Sequence, residues 1–253
     1  MKACDLIKPI EEFAPISFQE QWDNCGFSIG NPSAEISKVL IALDCTEEVM
    51  DEAIALNCEM IITHHPLIFG TLKSVTTENN IGKIISKGIK HNITVYSAHT
   101  NMDKASGGVS YIMAEKLRLI NQCNLTQEGF GILGNLKEPT NIESFIKLIK
   151  EKFCLDRIRC SKLLKKNISR VAVCGGSGKD FIKNAYNSGA DIYITGDISY
   201  HDFYCEDDFM IIDIGHYGSE WGVVSLFAKI LSEKFPTFAI CISKENINPI
   251  YYY

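Results

Sequence analysis

Shifting the sequence by 132 positions lays it over itself without a gap, and this repeat constrains the fold more than any other feature. Ile36-Ser37-Lys38-Val39 falls on Ile168-Ser169-Arg170-Val171, Ala53 on Ala185, Glu59 on Asp191, and Ile62-Thr63 on Ile194-Thr195. Each copy reads as strand, helix, strand. In the first copy, residues 38–44 (KVLIALD) form an apolar run typical of a strand buried on both faces of a parallel sheet. Residues 46–57 carry helical spacing, with Val49, Ala53, Ile54 and Leu56 mostly on one side. Thr46 is placed as an N-cap, with Glu47 and Glu48 in the first turn. Met60-Ile61-Ile62 then returns as a second strand. The repeat predicts an α/β protein of duplicated α/β halves, residues 1–125 and 126–253, facing each other across a cleft.

Where the second copy has Gly196-Asp197, the first has His64-His65, closed by Pro66. Both histidines thus lie just past the carboxyl end of a strand, where open α/β sheets keep their ligands. A second adjacent imidazole doubles the nitrogen that must find a partner. Residues 95–103 (VYSAHTNMD) form another short strand, whose exit carries His99 and Asp103. Residues 211–215 are a strand and turn leading into His216-Tyr217-Gly218-Ser219-Glu220-Trp221. If a helix begins there, His216 and Glu220 sit four apart on one face. Five of the six histidines therefore lie at strand exits or helix starts rich in other ligand types, and only His91 stands apart. Imidazole and carboxylate without clustered thiolates suit zinc, manganese, iron or nickel better than a structural sulfur site. His64, His65, His216, Asp103 and Glu220 would make the cleft a metal-binding one and leave coordination positions open for water. The alternative is a set of polar residues that merely satisfy loop backbone.

The glycine-rich segment 174–180 (CGGSGKD) lacks the four-residue gap, and the Ser or Thr after Lys, of a phosphate loop. It reads as a tight strand-to-helix turn needing positive φ, with contact to an anion at the helix start as the alternative. A hydrophobic content of 46% with 22% charged residues is that of an ordinary globular protein. The net charge of -6 argues against a nucleic-acid surface. The densest basic run, Lys162-Leu163-Leu164-Lys165-Lys166, reads as a solvated helix face or helix end. Ten cysteines with no C-x-x-C read mostly as small buried hydrophobes in a reducing cytosol. With no secretory leader, and no apolar run approaching the roughly 18 residues of a membrane span, the expectation is a soluble cytoplasmic protein.

Trp22-Asp23-Asn24-Cys25-Gly26 with Gly30 opens a series of motifs that continues through Ala42-Leu43-Asp44 and Ile62-Thr63-His64-His65-Pro66. Ala98-His99-Thr100-Asn101-Met102-Asp103 with Gly107-Gly108-Val109 follows. Thr195-Gly196-Asp197 with His201, then Gly215-His216-Tyr217-Gly218-Ser219-Glu220, complete it. In this order the motifs resemble those of the dinuclear metal-centre proteins called GTP cyclohydrolase 1 type 2 homologues, over nearly the whole chain. The resemblance implies two divalent metal cations per subunit, one held by His65, Asp103 and Glu220, the other by His64 and His216, with Glu220 bridging the pair. It implies His99 and His201 around the site as catalytic groups able to move protons, and Trp22 and Asp23 near its mouth. It also implies a homohexamer built as a trimer of dimers. The family commonly has Glu where this chain has Asp197, and often His where it has Tyr200, so the outer site here has a shorter acid and one imidazole fewer, with the five ligands unchanged. The implied activity is metal-dependent hydrolysis of a small-molecule substrate, and the family name specifies a nucleotide: GTP, hydrolysed at C8 with release of formate. A metal-dependent phosphoesterase and a non-catalytic metal-binding interaction protein are the alternatives.

Overall fold

A computed structural model describes residues 1–164 and 167–251. Its strands are β1 (Gly26–Ile29), β2 (Lys38–Ala42), β3 (Met60–Thr63), β4 (Thr94–Ser97), β5 (Ile120–Asn124), β6 (Ile132–Thr140), β7 (Arg159–Cys160), β8 (Ile168–Ser177), β9 (Ile192–Gly196), β10 (Met210–Asp213) and β11 (Ala239–Ile242). They form two sheets in two compact units, one comprising Met1–Ala105 with Val223–Tyr253 and the other Ser106–Gly222.

The first unit holds a five-stranded sheet in the order β1-β4-β3-β2-β11. Strands β2, β3, β4 and β11 are parallel, and β1 lies antiparallel at one edge. The chain returns to this sheet at its C-terminal end, where Ala239 faces Lys38 and Ile242 faces Ile41, a pairing that no spacing in the sequence announces. All four residues of β3 are buried, as are Leu40, Ile41 and Val95 on the neighbouring strands. Burying side chains of this size contributes about 1.5–3 kcal/mol each, which holds the strand exits in place. The helix Glu47–Ala55 is capped as its sequence dictates, Thr46 Oγ1 accepting from the Val49 N–H at 3.2 Å. It buries Val49, Met50 and Ala53, whereas Leu56, which caps its C-terminus, is exposed.

The second unit holds a six-stranded sheet in the order β5-β6-β8-β9-β10-β7. Strands β8, β9 and β10 are parallel, and the others are antiparallel. The repeat survives here residue for residue. Val39 faces Met60 in the first sheet, and Val171 faces Ile192 in the second, each shifted by 132. The third strand follows suit, Thr94 beside Met60 and Met210 beside Ile192. A carboxylate does the same work in both copies. Glu59 accepts from the Ser37 and Lys38 N–H groups at 3.2 and 3.0 Å, and Asp191 from those of Ser169 and Arg170 at 2.8 and 2.9 Å. The residue after each helix cap is left-handed, Asn57 with φ +53 and Gly189 with φ +76, which ends the helix and turns the chain back into the sheet. The protein is thus an α/β protein of duplicated halves.

Two expectations need correction. The basic run is not a helix, since residues 161–164 are a bend and coil after β7, with Lys162 Nζ 2.8 Å from Asp207 Oδ1 at the surface. Lys165 and Lys166 lie outside the described residues. None of the ten cysteines is in a disulfide, but only Cys45, Cys58 and Cys174 are buried, and Cys123, Cys154 and Cys160 are exposed. No described helix is long and apolar enough to cross a membrane.

Candidate metal centre

In the first unit, β3 runs straight into His64 and His65. His64 is fully buried, and its Nδ1 lies 2.8 Å from the carbonyl oxygen of Ala98, the residue just past β4. A carbonyl can only accept, so the ring proton sits on Nδ1 and Nε2 carries the lone pair. His65 is set the same way by Asp44, which follows β2, with Nδ1 2.7 Å from Asp44 Oδ1. His99 is set by Asp23 at 2.9 Å. The three rings crowd together, with centroids 5.0, 5.3 and 5.4 Å apart, and their ligand nitrogens lie within 4.8 Å of one another.

Asp23 is the anchor of this group. Burial by itself would raise its pKa, but hydrogen bonds from His99 and Thr100, and the charge of His99, outweigh that and hold the carboxyl well below the usual range. Its second oxygen accepts from the Thr100 N–H at 3.1 Å and from the Cys25 thiol at 3.2 Å. Burial in turn pushes the Cys25 thiol up to about 12. Asp103 follows on the short helix Thr100–Lys104. Its Oδ1 is buried, makes no hydrogen bond among the described residues, and lies 3.5 Å from His64 Nε2. A buried acceptor without a donor costs about 1–3 kcal/mol, and a cation beside it would remove that cost. The donor set therefore fits a divalent metal.

In the second unit, the helix His216–Glu220 begins directly after Gly215, whose φ of +78 turns the chain out of β10. The i, i+4 pitch expected from the sequence is present, with His216 Nε2 3.0 Å from Glu220 Oε2. His216 Nδ1 lies 2.7 Å from Asp197 Oδ2, so the shorter acid at this position does reach the imidazole. Burial would lower the His216 pKa, but the hydrogen bond and charge of Glu220, followed by those of Asp197, raise it to about 9.

The glycine-rich segment belongs to this second donor set. It is the end of β8, and a Cβ on Gly176 would overlap Glu220 Oε1, while one on Gly175 would overlap Val109. Gly176 also has φ +63 and donates its N–H to Ser219 Oγ at 2.9 Å. The positive φ expected here is present, but the glycines let backbone approach a carboxylate, a setting that opposes a bound anion. Ser219, Asp44 and Gly176 fall within segments the sequence singles out, but their roles did not show there, because only the folded chain brings them beside their partners.

His201 lies elsewhere on the second unit, on a turn past β9. It is exposed, with ring contacts to Tyr200 and Tyr204, and shares no ligand-distance group with the other histidines among the described residues. His91 is an exposed helix cap, apart from every donor set.

The chain matches the model of the Duf34/NIF3 (NGG1p interacting factor 3) family over residues 1–249. It belongs to that family. A Clostridium acetobutylicum protein named GTP cyclohydrolase 1 type 2 homolog is 37% identical, with 98% of each chain covered. The Campylobacter jejuni protein of the same name is 32% identical over the full length of both chains. Among solved structures, a Bacillus cereus protein related to NIF3 superposes with a TM-score of 0.91 at 26% identity, covering 100% of this chain and 99% of that one. Reduced HcgD from Methanocaldococcus jannaschii superposes with a TM-score of 0.86 at 30% identity, covering 96% and 98%. The family drawn from the motifs thus holds along the whole chain.

Proposed function

We propose that the donors of the two units serve together as a dinuclear centre in a metal-dependent hydrolase of a small-molecule substrate. His65, Asp103 and Glu220 would hold one divalent cation, and His64 and His216 the other, with Glu220 serving both. The observation that carries this reading is the anchoring of all three histidines. Each has its Nδ1 on an oxygen acceptor, Ala98 O, Asp44 or Asp197, at 2.7–2.8 Å, the arrangement that orients a metal-binding imidazole and raises its basicity. Zinc, manganese, iron and nickel all suit this mixture of nitrogen and carboxylate.

Two cations held there would supply Lewis acidity toward a substrate oxygen and toward water. His99, with its proton fixed on Nδ1 by Asp23, accepts a proton at Nε2, and the buried carboxylate stabilises the imidazolium that results. His201, exposed beside Tyr200 and Tyr204, is the second candidate for proton transfer. The family's named chemistry is the leading version, with GTP opened at C8 and formate released. A homohexamer, arranged as a trimer of dimers, and a cytoplasmic location belong to the same reading. The ten cysteines outside any disulfide suit a reducing compartment.

The test is metal content per chain on protein purified without added metal or chelator, followed by incubation of the same sample with GTP and a panel of phosphoesters. About two metals per chain with formate from GTP is the expected result. Two metals with only phosphoester cleavage would make the protein a phosphoesterase. Two metals with no turnover would favour a metal-binding interaction protein, and no metal would end the reading.

A further inference from the structure

Two large aromatic side chains of the first unit stay out of its core. Trp22 is 60% exposed and Phe69 58%. Both meet the imidazole of His99 edge-to-face, with centroids 6.0 and 5.8 Å away. They are also clipped to each other through the backbone. The amide of Asn24, two residues past Trp22, donates to the carbonyls of Ile68 and Gly70, both at 2.8 Å, on either side of Phe69. Asn24 is itself tied to the His99 anchor, its N–H donating to Asp23 Oδ1 at 2.8 Å. Exposed aromatics that are held this firmly lose little freedom when a ligand arrives.

Phe69 also lines a cavity of about 460 Å³, together with His65, Leu67 and Ile81 and with Asp44, Glu47 and Glu48 among its polar groups. That volume accommodates a small organic ligand. Glu47 is paired with Lys87 at 2.9 Å and Asp44 meets the His65 ring, so Glu48, held ionised by its own backbone N–H and the Thr46 hydroxyl, is the rim carboxylate that attracts N–H donors most directly. Apolar wall, aromatic ring and acidic rim together specify the ligand.

We propose that Phe69, in the cavity wall, and Trp22, against the same His99 ring, form a preformed aromatic seat for a planar nitrogen heterocycle whose N–H groups face the carboxylates beside His65. The heterocyclic end of the substrate enters here, and any phosphate it carries lies outside this cavity. The assignment rests on the reading of the neighbouring histidines as the reacting centre, and it makes Trp22 and Phe69 specificity-determining residues.

The test is equilibrium binding of guanosine and of ribose 5-phosphate to the full-length, metal-loaded protein and to Trp22→Ala, Phe69→Ala, Trp22→Phe and Phe69→Tyr. Metal content and oligomeric mass are measured on each sample. Stacking of a base on an aromatic side chain is worth about 1–3 kcal/mol, so each alanine variant should weaken guanosine by about 5- to 150-fold. The aromatic replacements should restore most of that affinity, and ribose 5-phosphate binding should not move. No binding of guanosine to the wild type, or equal affinity in Phe69→Ala with metal content intact, overturns the assignment. So does a loss of oligomeric mass in the alanine variants without loss of guanosine affinity, which would make the aromatic pair an interface between copies. Absence of metal from the wild type would sink the metal reading, while the guanosine affinities still judge the seat.

Discussion

His216 is gripped at both ring nitrogens, Nδ1 lying 2.7 Å from Asp197 Oδ2 and Nε2 3.0 Å from Glu220 Oε2. The grip depends on a residue in an unusual conformation, since Asp197 has φ +56, a left-handed backbone that Asp and Asn tolerate better than other side chains. The first prediction is therefore made with Asp197→Asn, which keeps the backbone and removes the charge. Metal affinity should fall by about 10- to 100-fold, the usual effect of losing such an anchor, with little change in thermal stability. Competition with a chromophoric chelator measures it, and an unchanged affinity would strip Asp197 of its anchoring role.

The same grip sets a pH dependence. Its folded-state pKa of about 9 lies above the ordinary value of 6.5, so protonated His216 stabilises the metal-free protein fully below 6.5, and that contribution is lost as pH rises through 9. A cation needs the neutral ring, so loading near neutral pH must expel the proton. Calorimetric titration of metal into metal-free protein, in buffers of different ionisation enthalpy, should show about one more proton released by the wild type than by His216→Ala. The excess should vanish above about pH 9. Equal proton release in the two proteins near neutral pH would contradict the raised pKa.

Gly176 and Glu220 make a paired prediction. Gly176→Ala meets two obstacles, a φ of +63 and overlap of the new methyl group with Glu220 Oε1. The left-handed backbone alone costs about 1–2 kcal/mol, and displacement of Glu220 should lower metal content as well. Glu220→Ala should release at least one metal without unfolding the chain, and retention of both would remove Glu220 from the ligand set. In the double variant the overlap is gone, so Gly176→Ala should cost less there than alone, a non-additivity read from urea denaturation and metal per chain.

Much of this architecture was legible because it depends on local spacing. The apolar run of β3 ending at His64 and His65, and the four-residue pitch from His216 to Glu220, are properties of short segments. The anchors were not legible, because Asp44 and His65 are 21 residues apart and Asp23 and His99 76, and spacing does not say which side chains turn toward each other. The glycines at 175 and 176 were half legible, since the positive φ expected of this turn is present at Gly176 but the close approach of Glu220 was not foreseen. Sequence shows that glycine is present, but only the fold shows that Val109 and Glu220 occupy the space a side chain would need. The basic run misled because its charges resembled a helix face, whereas Leu164 within it is buried in the core of the second unit.

The duplication supplies the last prediction, since it extends to the role of single carboxylates. Burial would raise the Glu59 pKa, yet the hydrogen bonds from Ser37 and Lys38 lower it below the ordinary value of 4.5. Its contribution to stability is thus present above that value and is lost as pH falls through the lowered one. Asp191 meets the same two backbone donors in the second copy. Both acids are partly exposed, so each alanine replacement should cost only about 1 kcal/mol near neutral pH. Glu59→Gln and Asp191→Asn, which keep an acceptor oxygen, should cost less. Because the two acids belong to separate units and share no partner among the described residues, the Glu59→Ala and Asp191→Ala penalties should add. Urea denaturation of the single and double variants measures all of these. A large penalty at one position and none at the other would mean that the two copies, though alike in register, no longer depend on the same bond.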